Sequence, residues 1–200
     1  MLELDKLDAF EENLVGYISK YIVDVTEAER RSMLKLLRFS PFKKGEFIFK
    51  QGEAPKKVCF LVKGAVRFYY VTEEGKDHTT NFGFENEPVL PYGSFVEQMP
   101  SGIAITALEP AELVWASSQD FNLFMEEHPR FQIGIAKLLG EYLFKGSEQL
   151  SLLRISSSRE RYEKLCELQP ETVNRVPLTH IASYLDMALE TLSRIRAGKL

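Results

Sequence analysis

The 200-residue sequence predicts an α+β chain built on a jelly-roll barrel, and three observations carry that expectation. The first is a change of period. Apolar residues before about 39 and after about 118 recur at threes and fours, whereas those between alternate at twos. The second is the punctuation of that middle stretch, where Lys63-Gly64 and Glu74-Gly75 are hairpin signals between runs rich in Val, Ile, Phe and Tyr. The third is a pair of short helical patterns near the carboxyl end, separated by a break at 185–188.

In chain order, residues 7–22 and 26–38 read as helices. Leu7, Phe10, Leu14, Tyr17 and Ile18 share one face of the first. Thr26 followed by Glu29 has the form of a capping box opening the second. The strand runs are 47–49, 58–62, 65–71, 78–84, 103–108 and 112–116; many short strands joined by tight turns form a sandwich or jelly roll. A short helix over 119–126 ends at His128-Pro129. A long one over 129–153 carries Phe131, Ile135, Leu138, Leu139, Tyr142, Leu143 and Leu153 at helical spacing. Gly134, Gly140 and Gly146 weaken it slightly while permitting close approach of a neighbour. Two roles stay open for this helix: a seam pairing two subunits, or a brace lying on its own barrel. Residues 154–158 read as a hinge. Ser157 with Glu160 caps the next helix, 159–168, which Gln169-Pro170 ends.

The two terminal helices lie within 177–200. Pro177 is expected in the first turn, where a missing N–H is harmless. Ile181, Leu185, Leu192 and Ile195 face inward, and Ala182 is small where the helices would cross. Glu190, Thr191, Ser193, Arg194 and Arg196 are left outside. A short polar helix with cations near one end suits the major groove of duplex DNA, where side chains meet base edges. A helical hairpin that only closes a core is the alternative.

Composition bounds the rest. The net charge is −4 and the apolar content 44%, enough for a buried core but not the balance of a chain basic throughout. From residue 175 on, Arg175, Arg194, Arg196 and Lys199 outnumber Asp186 and Glu190, a locally basic end on an acidic body. Two distant cysteines, Cys59 and Cys166, argue for a reducing compartment and against a disulfide framework. No apolar run is long enough to span a bilayer, and the acidic start lacks the form of a secretory signal. A cytoplasmic protein without membrane attachment is expected. The histidines, His78, His128 and His180, lack metal-ligand spacing, and neither a nucleophile elbow nor a phosphate-cradling glycine loop is present. No metal site, no catalytic residue and no enzymatic activity are expected.

Counted from Leu178, the segment resembles the helix-turn-helix of the catabolite activator protein (Crp/Fnr) family, with Ile181, Ala182, Leu185, Met187, Leu192 and Ile195 at its apolar and small positions. Glu190-Thr191-Leu192-Ser193-Arg194 is similar to the family's reading face. Asp186 stands where the turn usually has Gly, Ala188 where the reading helix usually has a Ser or Thr cap, and Leu189 before Glu190. Losing that cap costs on the order of 1 kcal/mol. Upstream, Lys44-Gly45-Glu46, Ile48-Phe49, Gln51-Gly52-Glu53 and Phe60-Leu61-Val62-Lys63-Gly64 followed by Val66-Arg67 resemble the front half of a cyclic-nucleotide-binding β-roll.

The resemblance implies three units: N-terminal helices and an effector β-roll over 1–128, a long dimerisation helix and hinge over 129–155, and a winged-helix-like helix-turn-helix over 156–200. It implies a homodimer on a near-palindromic double-stranded DNA site, with RNA polymerase as a further partner. Arg194 would read a base, with Glu190 orienting it or accepting from cytosine; Thr191 belongs to the same reading face, and Thr179, Ser193, Arg196 and Lys199 would meet phosphates. Two cysteines cannot supply the four-cysteine iron–sulfur arrangement of the family's oxygen-sensing branch.

In the roll, Ser101 occupies the position of the arginine that holds a cyclic nucleotide's phosphate in relatives that bind one, and no Arg or Lys occurs from Asp77 to Gln119. A pocket offering Glu85, Glu87 and Glu97 without a nearby cation would repel a phosphate, so cyclic AMP and cyclic GMP are expected not to bind and no cofactor is expected. Glu85, Glu87, Tyr92, Ser94 and Ser101 are the candidate lining of a cavity for a neutral or cationic effector; a collapsed, filled roll is the alternative. The second functional reading is a ligand- or protein-binding module of the same architecture that has lost specific DNA binding.

Overall fold

The structure, a computed structural model, describes residue 14 and residues 16–199. Of the first expected helix, Leu7 and Phe10 lie outside the described residues; 16–19 are helical and Leu14 is buried. Helix α1 spans Glu27–Leu36, and its cap has both halves of the expected box: the Thr26 hydroxyl accepts from the Glu29 N–H, and the Glu29 carboxylate accepts from the Thr26 N–H.

Eight strands follow: β1 Arg38–Phe42, β2 Phe47–Phe49, β3 Lys57–Lys63, β4 Val66–Val71, β5 Asp77–Gly83, β6 Pro88–Val89, β7 Ala104–Ala107 and β8 Ala111–Ser117. They form two four-stranded antiparallel sheets, ordered β1-β8-β3-β6 and β2-β7-β4-β5. Between the sheets the inward faces of the period-two pattern close on one another: Ile48, Leu61, Val66, Phe68, Val89, Ile105 and Leu113 belong to one buried cluster. Gly64 turns β3 into β4 with φ of 100°, and a Cβ there would stand 2.8 Å from the Pro110 carbonyl oxygen, so only glycine fits.

Four helices complete the middle of the chain: α2 Tyr92–Glu97, α3 Ser118–Glu127, α4 Arg130–Leu153 and α5 Ser158–Leu168. Ser157 caps α5 through the Glu160 N–H. Helix α4 braces its own chain along one side. Phe131, Gly134 and Leu152 are buried on its own chain, and a Cβ on Gly134 would meet Ile22 at 2.6 Å. On the other side Ile133, Leu143, Phe144 and Leu150 are exposed. Gly140 and Gly146 have nothing within 4 Å of a would-be Cβ, so they ease no approach within this chain.

Pro170 does end α5, but it also starts a short helix, α6 Pro170–Arg175, in which it fills the first position. The final pair is α7 Leu178–Tyr184 and α8 Leu189–Arg196. Pro177 stands one residue earlier than expected, as the extended N-cap of α7, with ψ of 140°. Asp186 takes the left-handed turn with φ of 48°. Ile181, Leu185 and Leu192 are wholly buried and Ile195 nearly so, which locks the two helices against each other and against Leu165 of α5. Among the described residues, no helix is long and apolar enough to cross a membrane.

Candidate DNA-reading face and effector cavity

On α8, the helix that turns Leu192 and Ile195 inward leaves Glu190, Ser193, Arg194 and Arg196 exposed, with Thr191 half-buried and Lys199 exposed just beyond. Thr179 is exposed in the first turn of α7. All seven positions therefore sit on one small unit with its cations toward solvent. Ala188 caps α8 without a side-chain bond, as its methyl dictates.

That unit rests on the β-roll through α7. The Thr79 N–H of β5 donates to Ser183 Oγ at 2.9 Å, and the Phe82 and Tyr184 rings pack at 5.3 Å. Below α7 lies Arg67, only 4% exposed, whose guanidinium bonds Thr79 Oγ1 at 2.9 Å and grips both Asp77 oxygens at 3.0 and 2.7 Å. A buried charge is tolerable because every arm is matched. The Arg67 contact holds the Asp77 carboxyl below its ordinary range. His180 of α7 is pushed down, first by burial and then by the charge of Arg67.

A second set of ion pairs ties α6 to the roll. Arg175 reaches Glu85 Oε2 at 2.6 Å and Oε1 at 2.9 Å, and also bonds Glu109 and Glu171. Burial alone would raise the Glu85 carboxyl; Arg175 and the Gly64 N–H, 2.7 Å away, more than offset this and hold it below the usual range.

The expectation of acidic residues without a nearby cation is corrected here. No Lys or Arg lies close in sequence, but the fold brings Arg175 onto Glu85 and Lys145 of α4 onto Glu87 at 2.8 Å. Three of the five expected pocket residues, Glu85, Glu87 and Tyr92, line a cavity of about 350 Å³ between the roll, residues 17–21 and α4. Ser94 and Ser101 do not. Ser94 sits in α2, and Ser101 is buried with its hydroxyl committed to the backbone of Ile103. Tyr17, Tyr21, Glu141, Tyr142 and Lys145 also line it, and spacing within the roll gave no signal for them. No group of three or more His, Cys, Asp or Glu among the described residues could hold a metal. Burial pushes the Cys59 thiol up to about 12, and neither cysteine is in a disulfide.

The chain is a two-sheet roll followed by a long helix and an outward-facing helix pair. Residues 39–128 match the cyclic nucleotide-binding domain family. The transcriptional activator protein Anr of Pseudomonas aeruginosa is 25% identical over 169 residues, covering 79% of this chain and 68% of Anr. Among solved structures, the c-di-GMP responsive global regulator CLP of Xanthomonas campestris superposes with a TM-score of 0.70 at 15% identity, covering 86% of this chain and 91% of that one. FixK2 of Bradyrhizobium japonicum gives 0.66 at 20% identity, covering 81% and 83%. The chain is thus similar to transcription regulators of the Crp/Fnr type over most of its length.

Proposed function

We propose that the chain is a transcription regulator that binds a near-palindromic duplex site as a homodimer, and that it is not an enzyme. The observation that carries this reading is the exposed, cation-bearing face of α8 above a buried apolar seam. Arg194 is the base-reading residue, to guanine; Glu190 orients it or accepts from cytosine, and Thr191 belongs to the same face. Thr179, Ser193, Arg196 and Lys199 meet phosphates. The three working units are 1–128, 129–155 and 156–200. The named relatives, activators such as Anr and FnrA, favour regulation over a module that has lost DNA. The setting is the cytoplasm, with RNA polymerase as a further partner.

Dimerisation has its own support on α4. Ile133, Ala136, Gly140, Leu143, Ser147 and Leu150 are exposed and alternate at threes and fours, the spacing of a coiled-coil seam. Two copies joined there carry two reading helices to successive turns of DNA. Selection of duplexes from a random pool tests the reading. A symmetric motif is expected, and Arg194→Ala should weaken binding to it by roughly 1–3 kcal/mol and relax one base position in each half. No enrichment at low salt, or an unchanged motif with Arg194→Ala, would overturn it.

A further inference from the structure

We propose that the cavity between the β-roll and α4 is a binding site for a small organic ammonium ion. The proposal takes from the Crp/Fnr resemblance only that the roll carries an effector site, and its test needs no DNA. A failure here would leave the reading helix standing, and the converse also holds.

The lining carries the argument. Two tyrosine pairs enclose the space: Tyr17 with Tyr21, ring centres 5.3 Å apart, and Tyr92 with Tyr142, 4.7 Å apart. Their electron-rich faces attract cations, most strongly where water is excluded. Two carboxylates complete it. Glu141 accepts from the Tyr21 hydroxyl at 2.6 Å and has no cation partner among the described residues. Glu87 accepts from the Phe84 N–H at 3.2 Å.

The chain itself shows what these groups accept. The Lys20 ammonium lies 5.4 Å from the centre of the Tyr17 ring, and the Lys145 ammonium lies 2.8 Å from Glu87. Both are tethered ends of flexible side chains, and the Lys145 side chain is 61% exposed. A free ammonium ion can take the tyrosine faces and Glu141 and displace Lys145 from Glu87 while that lysine swings into water. An anion of the same size would meet Lys20 and Lys145, but Lys145 is already paired with Glu87, and Glu141 has no cation partner among the described residues to offset its charge. The volume, about 350 Å³, admits a compact amine of a few carbons.

The test is calorimetric titration of the full chain with choline and with putrescine, and with inorganic phosphate and cyclic AMP as anionic controls. One saturable site per chain is expected for at least one amine, with a dissociation constant below about 1 mM and no saturable heat from either anion. Glu141→Gln should weaken the amine by about tenfold, the weight of one charge-assisted contact. Lys145→Ala should tighten it severalfold by freeing Glu87, an outcome that mere damage to the fold does not give. Circular dichroism matching wild type confirms that each variant is folded. No saturable amine heat up to about 10 mM, tighter binding of either anion, unchanged affinity in Glu141→Gln, or weaker affinity in Lys145→Ala would overturn the proposal.

Discussion

Removing Arg175 should release the reading unit from the roll. Arg175 makes two bonds to Glu85 and one to Glu109, all crossing to the roll, whereas its bond to Glu171 stays within α6. Bonds between charged groups contribute about 1.5–3 kcal/mol each when dry. These are wetter: the Arg175 side chain is 26% exposed, Glu85 30% and Glu109 38%, so solvent screening lowers the sum. Arg175→Ala also leaves three carboxylates facing one another without their shared cation. We expect the docked arrangement to weaken by about 2–4 kcal/mol, a thirtyfold to thousandfold rise in the undocked population. Amide hydrogen exchange reads this directly, because the Thr79 N–H is protected by Ser183 of α7. Its exchange should accelerate by at least about thirtyfold, while amides between the sheets, such as Ile105, are unchanged. Unaltered Thr79 protection in a folded Arg175→Ala protein would refute the reasoning.

Three further outcomes follow from the same structure. Leu143, 71% exposed on α4, would lie in the seam twice per dimer; at about 1.5–3 kcal/mol per buried leucine, Leu143→Glu should raise the dimer dissociation constant at least a hundredfold by analytical ultracentrifugation. His180 titrates below its ordinary value through burial and through Arg67 and Lys44, with Asp77 opposing. The unfolded state therefore takes up the proton first, so stability is lost as pH falls through about 6.5 and levels off below the lowered native value; in His180→Gln this part of the pH–stability curve should flatten. Gly134→Val should destabilise by about 1–3 kcal/mol through collision with Ile22, whereas Gly146→Ala, meeting nothing within 4 Å, should stabilise by about 0.5–1 kcal/mol, both by chemical denaturation.

How much of this was legible in the sequence depends on the range over which each feature is specified. The six expected strands lie within two residues of observed ones because alternation is local. β1 was not foreseen: Arg38–Phe42 holds Pro41 and sits at a sheet edge, where a missing N–H is tolerated and the pattern is diluted. β6, at two residues, is too short for any period. α6 was hidden by reading Pro170 only as a stop, although proline ends one helix and begins another equally well. The reading helix was legible because its inward and outward residues follow from eight consecutive positions. The cavity was not, because its walls come from 17–21, from Phe68, from 81–92 and from 138–145. Arg175 and Glu85 are 90 positions apart, and no spacing rule joins them.

The two acidic residues of one loop connect the cavity to the reading unit. Glu85 holds Arg175 of α6, and Glu87, two positions on, lines the cavity and holds Lys145 of α4. The loop between them is clamped to β3: the Asn86 N–H donates to the Leu61 carbonyl at 2.8 Å, and the Leu61 N–H donates to the Glu87 carbonyl at 2.9 Å. A ligand that changes the partner of Glu87 therefore acts on a rigid segment whose other carboxylate anchors α6, and movement of that segment is felt at Arg175 within two peptide units. The coupling can be no larger than the contacts it alters, about 2–4 kcal/mol at the Arg175 cluster. It must also run both ways, so whatever draws α6 off the roll changes the affinity of the cavity by the same factor. This loop joins the two carboxylates covalently, Glu85 at the Arg175 cluster and Glu87 at the cavity. A chain of packed residues leading merely from one site to the other would be a weaker warrant for coupling.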